Sequence, residues 1–243
     1  MTMASPQLQL LGGFRMVNEG CILAVPVTAA KLVARLALHE HPLPRSRIAG
    51  EFWPEVPQRR AAANLRTTVW RLPKVSKAFL TTAGTTIALA DSVEVDLRVA
   101  RGVVRNLLDR REPQEPGRVQ VELLSRPLLP EWDEDWLVFE RERVRQLHIH
   151  ALERLGQSFL EAGDPLSAVD VGITVLVTEP LRETAHVLVM NAYLASGNRA
   201  DARRCYDRYR NLLRREIDLE PALDWADVVA AASEYRRPAP QPR

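Results

Sequence analysis

The sequence predicts a mainly α-helical protein with small β-hairpins, in which a mixed N-terminal domain precedes an all-α domain. Three observations predict this fold class: the order of strand and helix patterns over residues 1–92, helical periodicity from Val93 onward, and a 34-residue repeat near the C-terminus. The chain has 243 residues, and domains are typically about 100 to 150 residues long. We therefore expect one domain at residues 1–92 and a second at residues 93–243.

The overall composition is that of an ordinary globular protein, with 46% hydrophobic and 26% charged residues. No run approaches the ~18 apolar residues that a membrane span requires, and residues 1–10 lack a basic segment followed by an apolar one. We expect a cytoplasmic protein without membrane contact. Cys21 and Cys205 stand far apart, which fits neither a disulfide framework nor a zinc site, so both are expected to be buried thiols.

Charge is distributed unevenly along the chain. Residues 1–92 hold 11 Lys and Arg against 5 Asp and Glu, whereas residues 93–243 hold 22 against 26, so the net charges are +6 and −4. Residues 45–77 alone contain eight basic residues, against Glu51 and Glu55. A basic domain joined to an acidic one is typical of a polyanion-binding head on a protein-binding body.

The first elements are predicted to be a hairpin and two helices. Residues 7–17 and 21–27 read as strands joined by a turn at Asn18-Glu19-Gly20. Thr28 can cap a helix with apolar residues at helical spacing, and Ser46 can cap a second, short helix.

A third helix is predicted over residues 61–74, AAANLRTTVWRLPK, followed by a hairpin at residues 79–89 around Ala83-Gly84. Leu65, Val69 and Leu72 fall on one side of the helix, with Ala62 beside them, and indicate its core face. The opposite face is basic and hydroxyl-rich, with Trp70 and Thr68 at its borders. It comprises Arg60, Ala63, Asn64, Thr67, Arg71 and Lys74.

Strands, three helices and a hairpin are the element order of a winged helix-turn-helix domain. The segments LLGGFRMV, Phe52-Trp53-Pro54 and AAANLRTTVWRL resemble the Streptomyces antibiotic regulatory protein family of transcriptional activators. The family typically shows Arg-Leu-Arg-Arg where this chain has Arg71-Leu72-Pro73-Lys74, and Gly-Tyr where it has Thr86-Ile87. Pro73 is expected to end the third helix about one turn early, because its ring does not fit a helix interior.

The second half is predicted to be helical, with an amphipathic run at residues 96–108 and a long helix at about residues 136–162. Four pairs of residues lie 34 apart, which is the tetratricopeptide period. They are Phe159 and Tyr193, Leu160 and Leu194, Gly163 and Gly197, and Ala168 and Ala202. The segment LLRREIDLEP at residues 212–221 resembles the closing motif of the bacterial transcriptional activator domain. The Pro-rich residues 236–243 are expected to be a disordered tail.

No catalytic residue, metal site or cofactor is predicted, and we expect a protein that is not an enzyme. His148 and His150 are two apart on a helix and therefore point away from each other, which is unsuited to one metal ion. The carboxylates of Asp133, Glu134 and Asp135 begin a helix, where negative charge favours the helix dipole. Trp132 and Trp136 lie at helical spacing and are expected to pack between helices.

The candidate site is a double-stranded DNA interface. Arg, Asn and Thr side chains can bond base edges or phosphate oxygens. The predicted base-facing residues are Asn64, Thr67, Thr68 and Arg71. The predicted phosphate-binding residues are Arg45, Arg47, Arg59, Arg60, Lys74, Lys77, Thr82 and Thr85.

The resemblance implies an activator that binds direct repeats at promoters, self-associates on DNA and recruits RNA polymerase, typically for a biosynthetic, secondary-metabolite gene cluster. An alternative is open from the residues alone, because any surface helix shows charged residues to solvent. On that interpretation the chain is a repeat-domain scaffold or sensor that does not bind DNA specifically.

Overall fold

The computed structural model describes residues 5–109 and 117–232, without the side chains of Lys74, Val75 and Lys77. The predicted tail at residues 236–243 lies outside the described residues. Secondary structure is mainly helical with small sheets near the N-terminus, which confirms the predicted fold class. In chain order the described elements are β1 (Gln7–Gln9), β2 (Arg15–Asn18), β3 (Cys21–Ile22), α1 (Val27–Ala37), β4 (Leu43–Pro44), α2 (Arg45–Phe52), α3 (Gln58–Trp70), a 3₁₀ helix (Lys74–Phe79), β5 (Leu80–Ala83), β6 (Thr86–Leu89), β7 (Glu94–Val95), α4 (Asp96–Asp109), α5 (Arg118–Ser125), α6 (Asp135–Glu161), α7 (Pro165–Thr178), α8 (Glu183–Ala195), α9 (Arg199–Ile217) and α10 (Trp225–Ala231).

The chain forms two compact units whose division differs from the predicted boundary after residue 92. The first unit comprises the described residues of Met1–Val99 together with Pro127–Asp133. The second comprises the described residues of Ala100–Arg126 and Glu134–Arg243. Strand β7 and the returning segment Pro127–Asp133 were both assigned to the second domain by sequence. In the structure they belong to the first unit.

The first unit contains a four-stranded sheet in the order β3-β2-β1-β7. Neighbouring strands are antiparallel except β1 and β7, which are parallel. The prediction of one strand over residues 7–17 was wrong, because Gly12 and Gly13 adopt φ values of +78° and +137° and turn the chain between β1 and β2. Such φ values are accessible to glycine and strained for other residues.

Helices α1, α2 and α3 of the first unit each begin directly after a proline. Pro26, Pro44 and Pro57 occupy the N-cap positions of α1, α2 and α3 with φ between −55° and −58°, and none of these helices has a side-chain cap. The predicted caps at Thr28 and Ser46 were therefore wrong. Proline fixes φ near the required value and lacks the N–H group that a helix start leaves unbonded.

The three-stranded second sheet of the first unit has the order β4-β6-β5, and the predicted hairpin is its β5–β6 pair. Its two-residue loop, Gly84-Thr85, has Gly84 at φ +55°, as a tight hairpin turn requires. Ile87 of β6 is fully buried. The helix before it, α3, ends at Trp70, three residues ahead of Pro73, which confirms its early end.

Asp96, which directly follows β7, holds the chain at the end of β1 through hydrogen bonds. Its carboxylate accepts hydrogen bonds from the backbone N–H groups of Leu10 at 2.9 and 3.1 Å and of Leu11 at 2.9 Å, and from Leu97 at 2.7 Å. Both Leu10 and Leu11 are fully buried. Leu129 N–H donates to the Leu10 carbonyl at 2.8 Å, so the returning segment closes over the same strand end.

In the second unit, helices α6 to α9 pack in sequence, each against the next. The α6–α7 and α8–α9 turns are equivalent, with Gly163 and Gly197 at φ +79° and +80°. In each turn the glycine N–H donates three residues back, to Leu160 at 3.0 Å and to Leu194 at 3.2 Å. The two turns therefore have the same backbone conformation 34 residues apart, in agreement with the predicted period.

Two glycines allow α8 to approach the preceding helices closely. A Cβ atom on Gly156 of α6 would stand 2.4 Å from Leu188 Cδ2, and one on Gly172 of α7 would stand 2.5 Å from Val189 Cγ2. Leu188 and Val189 of α8 therefore occupy the space that a larger side chain at either position would need.

Replacing Gly156 or Gly172 with alanine should destabilise the second unit by about 1 to 3 kcal/mol, since the added methyl group overpacks a filled core. This cost opposes the roughly 1 kcal/mol that alanine gains over glycine in a helix interior. Chemical denaturation measures the change. Gly102→Ala is the matched control, because its Cβ would meet nothing within 4 Å, and it should be neutral or slightly stabilising. Unchanged stability in both test variants would mean that the α8 side chains move aside freely.

Two histidines in the second unit are held in environments that disfavour their charged form. Burial is the main cause that lowers the pKa of His148, whose ring also hydrogen-bonds the backbone of Leu124. Burial likewise lowers the pKa of His186, whose ring stacks on Tyr209 with centroids 4.0 Å apart. Burial, together with Glu183, raises the pKa of Tyr209 to about 12.

The second unit should lose stability as the pH falls below about 6.5, the ordinary histidine pKa. The folded-state pKa of each histidine is lowered, so the unfolded chain binds protons first and the stabilisation is present only above this range. Denaturation midpoints at pH 7.5 and 5.5 measure the slope, which a His148→Gln/His186→Gln variant should flatten. His150→Gln is the control, because His150 is exposed. An equally steep slope in the double variant would contradict the assignment.

Candidate nucleic-acid interface

The buried side of α3 differs from the predicted one. Ala61, Leu65 and Thr68 are its buried residues, and Leu72 is buried just beyond its end. Val69, which was predicted to lie in the core, is half-buried, as is Ala62. The helix is therefore rotated toward Thr68 relative to the predicted orientation.

Thr68 was predicted to face DNA bases, and this prediction was wrong. Its side chain is only 9% exposed, and its hydroxyl donates to the Asn64 carbonyl at 3.0 Å. A threonine in a helix can bury its methyl group in this way, because the carbonyl four residues earlier satisfies the hydroxyl. Asn64 itself is half-buried and lies at the edge of the exposed face.

The exposed face of α3, called here the basic face, consists of Arg59, Arg66, Thr67, Trp70 and the C-cap residue Arg71. The Thr67 hydroxyl donates to the Ala63 carbonyl at 3.0 Å while the side chain remains exposed. Residues 58–71 contain no acidic side chain. The face therefore offers cations, a hydroxyl and one aromatic ring without a neutralising carboxylate on the same helix.

Two members of the basic face, Arg66 and Trp70, were missed as site residues from sequence. With Arg59 and Ala63 they form a stripe at spacings of four, three and four, which is the repeat of one helix face. This spacing was the signal that could have identified them. It was overridden because valine is more apolar than threonine, so Val69 was assigned to the core.

The β5–β6 hairpin and α2 meet at one end of the second sheet. Thr82 and Thr85 are exposed, as predicted, whereas the Thr86 hydroxyl donates to the Ala83 carbonyl at 2.9 Å. Arg45 N–H donates to the Thr85 carbonyl at 2.9 Å. The start of α2 therefore lies beside the hairpin loop, bringing Arg45 and Thr85 together.

The remaining predicted phosphate-binding residues differ in exposure. Arg47, Arg59 and Arg60 are exposed, and Arg45 is half-buried. The side chains of Lys74 and Lys77 lie outside what the structure describes. Of the acidic residues in this region, Glu51 pairs with Arg35 of α1 through two hydrogen bonds, so its charge is locally compensated and the surface of α2 and α3 remains predominantly basic.

Other features that attracted attention in the sequence have structural explanations. Asp135 lies in the first turn of α6. Trp132 stacks on Phe14, with centroids 5.3 Å apart, within the first unit, so the predicted packing with Trp136 between helices was wrong for Trp132. Cys205 is buried, but Cys21 is exposed on the short strand β3, contrary to prediction.

Neither a metal cluster nor a membrane span is found within the described ranges. No group of three or more His, Cys, Asp or Glu side chains there is arranged to hold a metal ion. The helices of residues 5–109 and 117–232 include none that is both long and apolar enough to cross a membrane.

The fold is a winged helix-turn-helix unit followed by an all-α unit. Residues 121–231 match the family model described as bacterial transcriptional activator domain. The chain is 27% identical over 216 residues to the regulatory protein AfsR of Streptomyces griseus, covering 82% of this chain. It is 29% identical over 231 residues to AfsR of Streptomyces coelicolor, covering 87% of this chain.

The chain spans 22% of the length of each of these relatives. Among solved structures, it is similar to Mycobacterium tuberculosis EmbR in complex with a low-affinity phosphopeptide, with a TM-score of 0.73. That similarity has 17% identity and covers 97% of this chain and 66% of the other, and it shows the fold. Together these findings confirm the resemblance to the Streptomyces antibiotic regulatory protein type of transcriptional activator.

Proposed function

We propose that the chain is a sequence-specific DNA-binding transcriptional activator whose α3 helix enters the major groove. The observation that supports this function best is the basic face, where Arg59, Arg66 and Arg71 are exposed on a helix without acidic residues. Such a helix suits the negative potential of duplex DNA, and arginine can bond guanine O6 and N7 in a bidentate manner.

Base contacts and phosphate contacts are assigned to different parts of the first unit. Arg66, Thr67 and Arg71 face the bases, with Asn64 at the edge of the same surface. The phosphate contacts are made by residues of α2, α3 and the β5–β6 hairpin, including Arg59 at the start of the basic face. They are Arg45, Arg47, Arg59, Arg60, Thr82 and Thr85, with Lys74 and Lys77 assigned by position in the sequence alone.

The second unit contacts RNA polymerase and a neighbouring copy of the chain bound to an adjacent repeat of the operator. Its packed helix pairs provide an extended surface of the kind that repeat proteins use to bind other proteins. The second unit, residues 100–126 and 134–243, holds 21 Lys and Arg against 22 Asp and Glu, a net charge of −1, so it adds no overall attraction to phosphate. The relatives are regulatory proteins from Streptomyces, which supports a biosynthetic, secondary-metabolite gene cluster as the target.

A mobility-shift titration of the full chain tests this function. Its operator and a random duplex of equal length are compared at several salt concentrations. The operator should bind at least about 1000-fold more tightly than random DNA, the lower end of the range for specific regulators. Equal affinity for both duplexes, or no binding at low salt, would favour the scaffold interpretation.

Arg47→Ala separates positioning from base readout in the same titration. It should weaken operator and random DNA alike and reduce the salt slope by about one unit or less. Activation is measured separately, as the amount of transcript that purified RNA polymerase makes from the operator template with and without the chain. Polymerase that is not stimulated by the DNA-bound chain would overturn the activator assignment while leaving DNA binding intact.

A further inference from the structure

Trp70 is the one tryptophan of this chain that is largely exposed to solvent. Its side chain is 76% exposed at the last position of α3. The four other tryptophans are half-buried; they are Trp53, Trp132, Trp136 and Trp225. The indole adds a large apolar surface to a helix face whose other exposed side chains are polar or charged, and this combination suits a partner that is both charged and partly apolar.

The stripe that contains Trp70 runs along the middle of the basic face. Arg59, Ala63, Arg66 and Trp70 follow one another at helical spacing, over about 16 Å at 1.5 Å per residue. Ala63 is half-buried and small, so the helix backbone can approach a flat or grooved surface at that point. Trp70 therefore lies on the same side of α3 as Arg59 and Arg66.

The charge of this surface identifies the partner as a polyanion. Arg66 and Arg71 flank the ring in the sequence and are exposed, with no acidic residue on the helix. A protein partner for an exposed tryptophan would meet this positive charge, whereas DNA complements it. Within the major groove, the one apolar group that bases present is the C5-methyl group of thymine.

We propose that Trp70 packs against the C5-methyl groups of one or two thymines in the operator and makes the chain specific for thymine at those positions. This inference rests on the proposed function, because it requires α3 to lie in the major groove. The indole supplies apolar area that arginine, threonine and asparagine lack, so this contact adds thymine recognition to the hydrogen bonds of the basic face.

The test replaces single thymines with deoxyuridine, which removes the methyl group and keeps the base pair. The operator is obtained by selection from random duplexes with the full chain and located by footprinting. Each thymine in one repeat is then replaced in turn, and the Kd is measured for the parent chain and for Trp70→Ala. The parent should lose about threefold to tenfold in affinity at one or two positions, as expected for an apolar contact of one methyl group.

The Trp70→Ala chain should bind the operator more weakly than the parent and be indifferent to deoxyuridine at those same positions. Arg66→Ala should also bind more weakly but retain the full deoxyuridine effect, which separates the two residues. Val119→Ala is the matched control for an exposed apolar side chain, since Val119 of α5 is 80% exposed, and it should behave as the parent does. Circular dichroism checks that each variant is folded.

A parent chain that tolerates deoxyuridine at every thymine overturns the inference while operator binding survives. The inference is also overturned if the Trp70→Ala chain loses as much affinity as the parent when thymine is replaced with deoxyuridine. A parent that selects no sequence overturns the proposed function and this inference with it. Should Trp70→Ala be unfolded, Trp70→Phe replaces it and is expected to show a reduced deoxyuridine effect at the same positions.

Discussion

Simultaneous replacement of Arg66 and Arg71 with alanine should weaken operator binding by at least about 30-fold. Both side chains are exposed on the basic face of α3, and each bidentate contact to guanine is worth about 1 to 3 kcal/mol, with about 1.4 kcal/mol per tenfold change in affinity. The melting temperature should stay close to that of the parent, because exposed side chains contribute little to folding. Titration of operator and random duplexes at matched salt measures the effect.

The matched control removes two positive charges outside the basic face. Arg15 of β2 and Arg105 of α4 are exposed, and an Arg15→Ala/Arg105→Ala chain should bind the operator within a few-fold of the parent. If both double variants lose affinity equally, net charge alone explains the binding and the basic face has no reading role. If the Arg66→Ala/Arg71→Ala chain loses as much affinity for random DNA as for the operator, Arg66 and Arg71 contact phosphates instead of bases.

Replacing Asp96 with alanine should destabilise the first unit by about 2 to 5 kcal/mol, since a buried N–H group without a partner costs about 1 to 3 kcal/mol. The change removes the acceptor for the N–H groups of Leu10 and Leu11 inside a fully buried strand end. This is a large part of the stability of a typical domain, which is about 5 to 15 kcal/mol. Hydrogen exchange measured by mass spectrometry should show lost protection at residues 7–18, and operator binding should fall with the folded fraction.

Asp91→Ala is the control for loss of a carboxylate, because Asp91 is exposed, and its effect should stay within about 0.5 kcal/mol. Asp96→Asn keeps one acceptor oxygen and should have an intermediate effect. If Asp96→Ala leaves the exchange of residues 7–18 unchanged, the carboxylate is replaced by water and does not hold the strand end.

Exposure was predicted correctly where neighbouring positions share a polarity and wrongly at Thr68 and Val69, where a single position decides. The DNA contacts of the exposed residues stay a prediction. Arg47, Arg59, Arg60, Thr67, Arg71, Thr82 and Thr85 are exposed as expected. Thr68 and Val69 were exchanged, because their sequence polarity favours the valine for the core whereas packing buries the threonine. Hydrogen bonding to the Asn64 carbonyl makes that burial inexpensive.

The predicted domain boundary after residue 92 was also affected by contacts that sequence patterns do not report, here between residues far apart along the chain. A fragment of residues 1–92 would lack β7, Asp96 and the segment Pro127–Asp133, all of which belong to the first unit. These contacts join residues more than 80 positions apart, such as Leu10 and Asp96. Periodicity and turn signals report neighbours along the chain and carry no information about such pairings.

Local sequence patterns were sufficient to predict the fold class, the β5–β6 hairpin, the early end of α3 before Pro73 and two equivalent glycine turns 34 residues apart. Each depends on local rules: apolar periodicity, the glycine turn at Gly84, the ring of proline, and the paired turns at Gly163 and Gly197. Packing between distant segments set the rotation of α3, and with it the exposure of Arg66 and Trp70. It also set the parallel pairing of β7 with β1. These features depend on how elements distant in sequence pack together, since burial of a helix face is set by the surfaces that cover it.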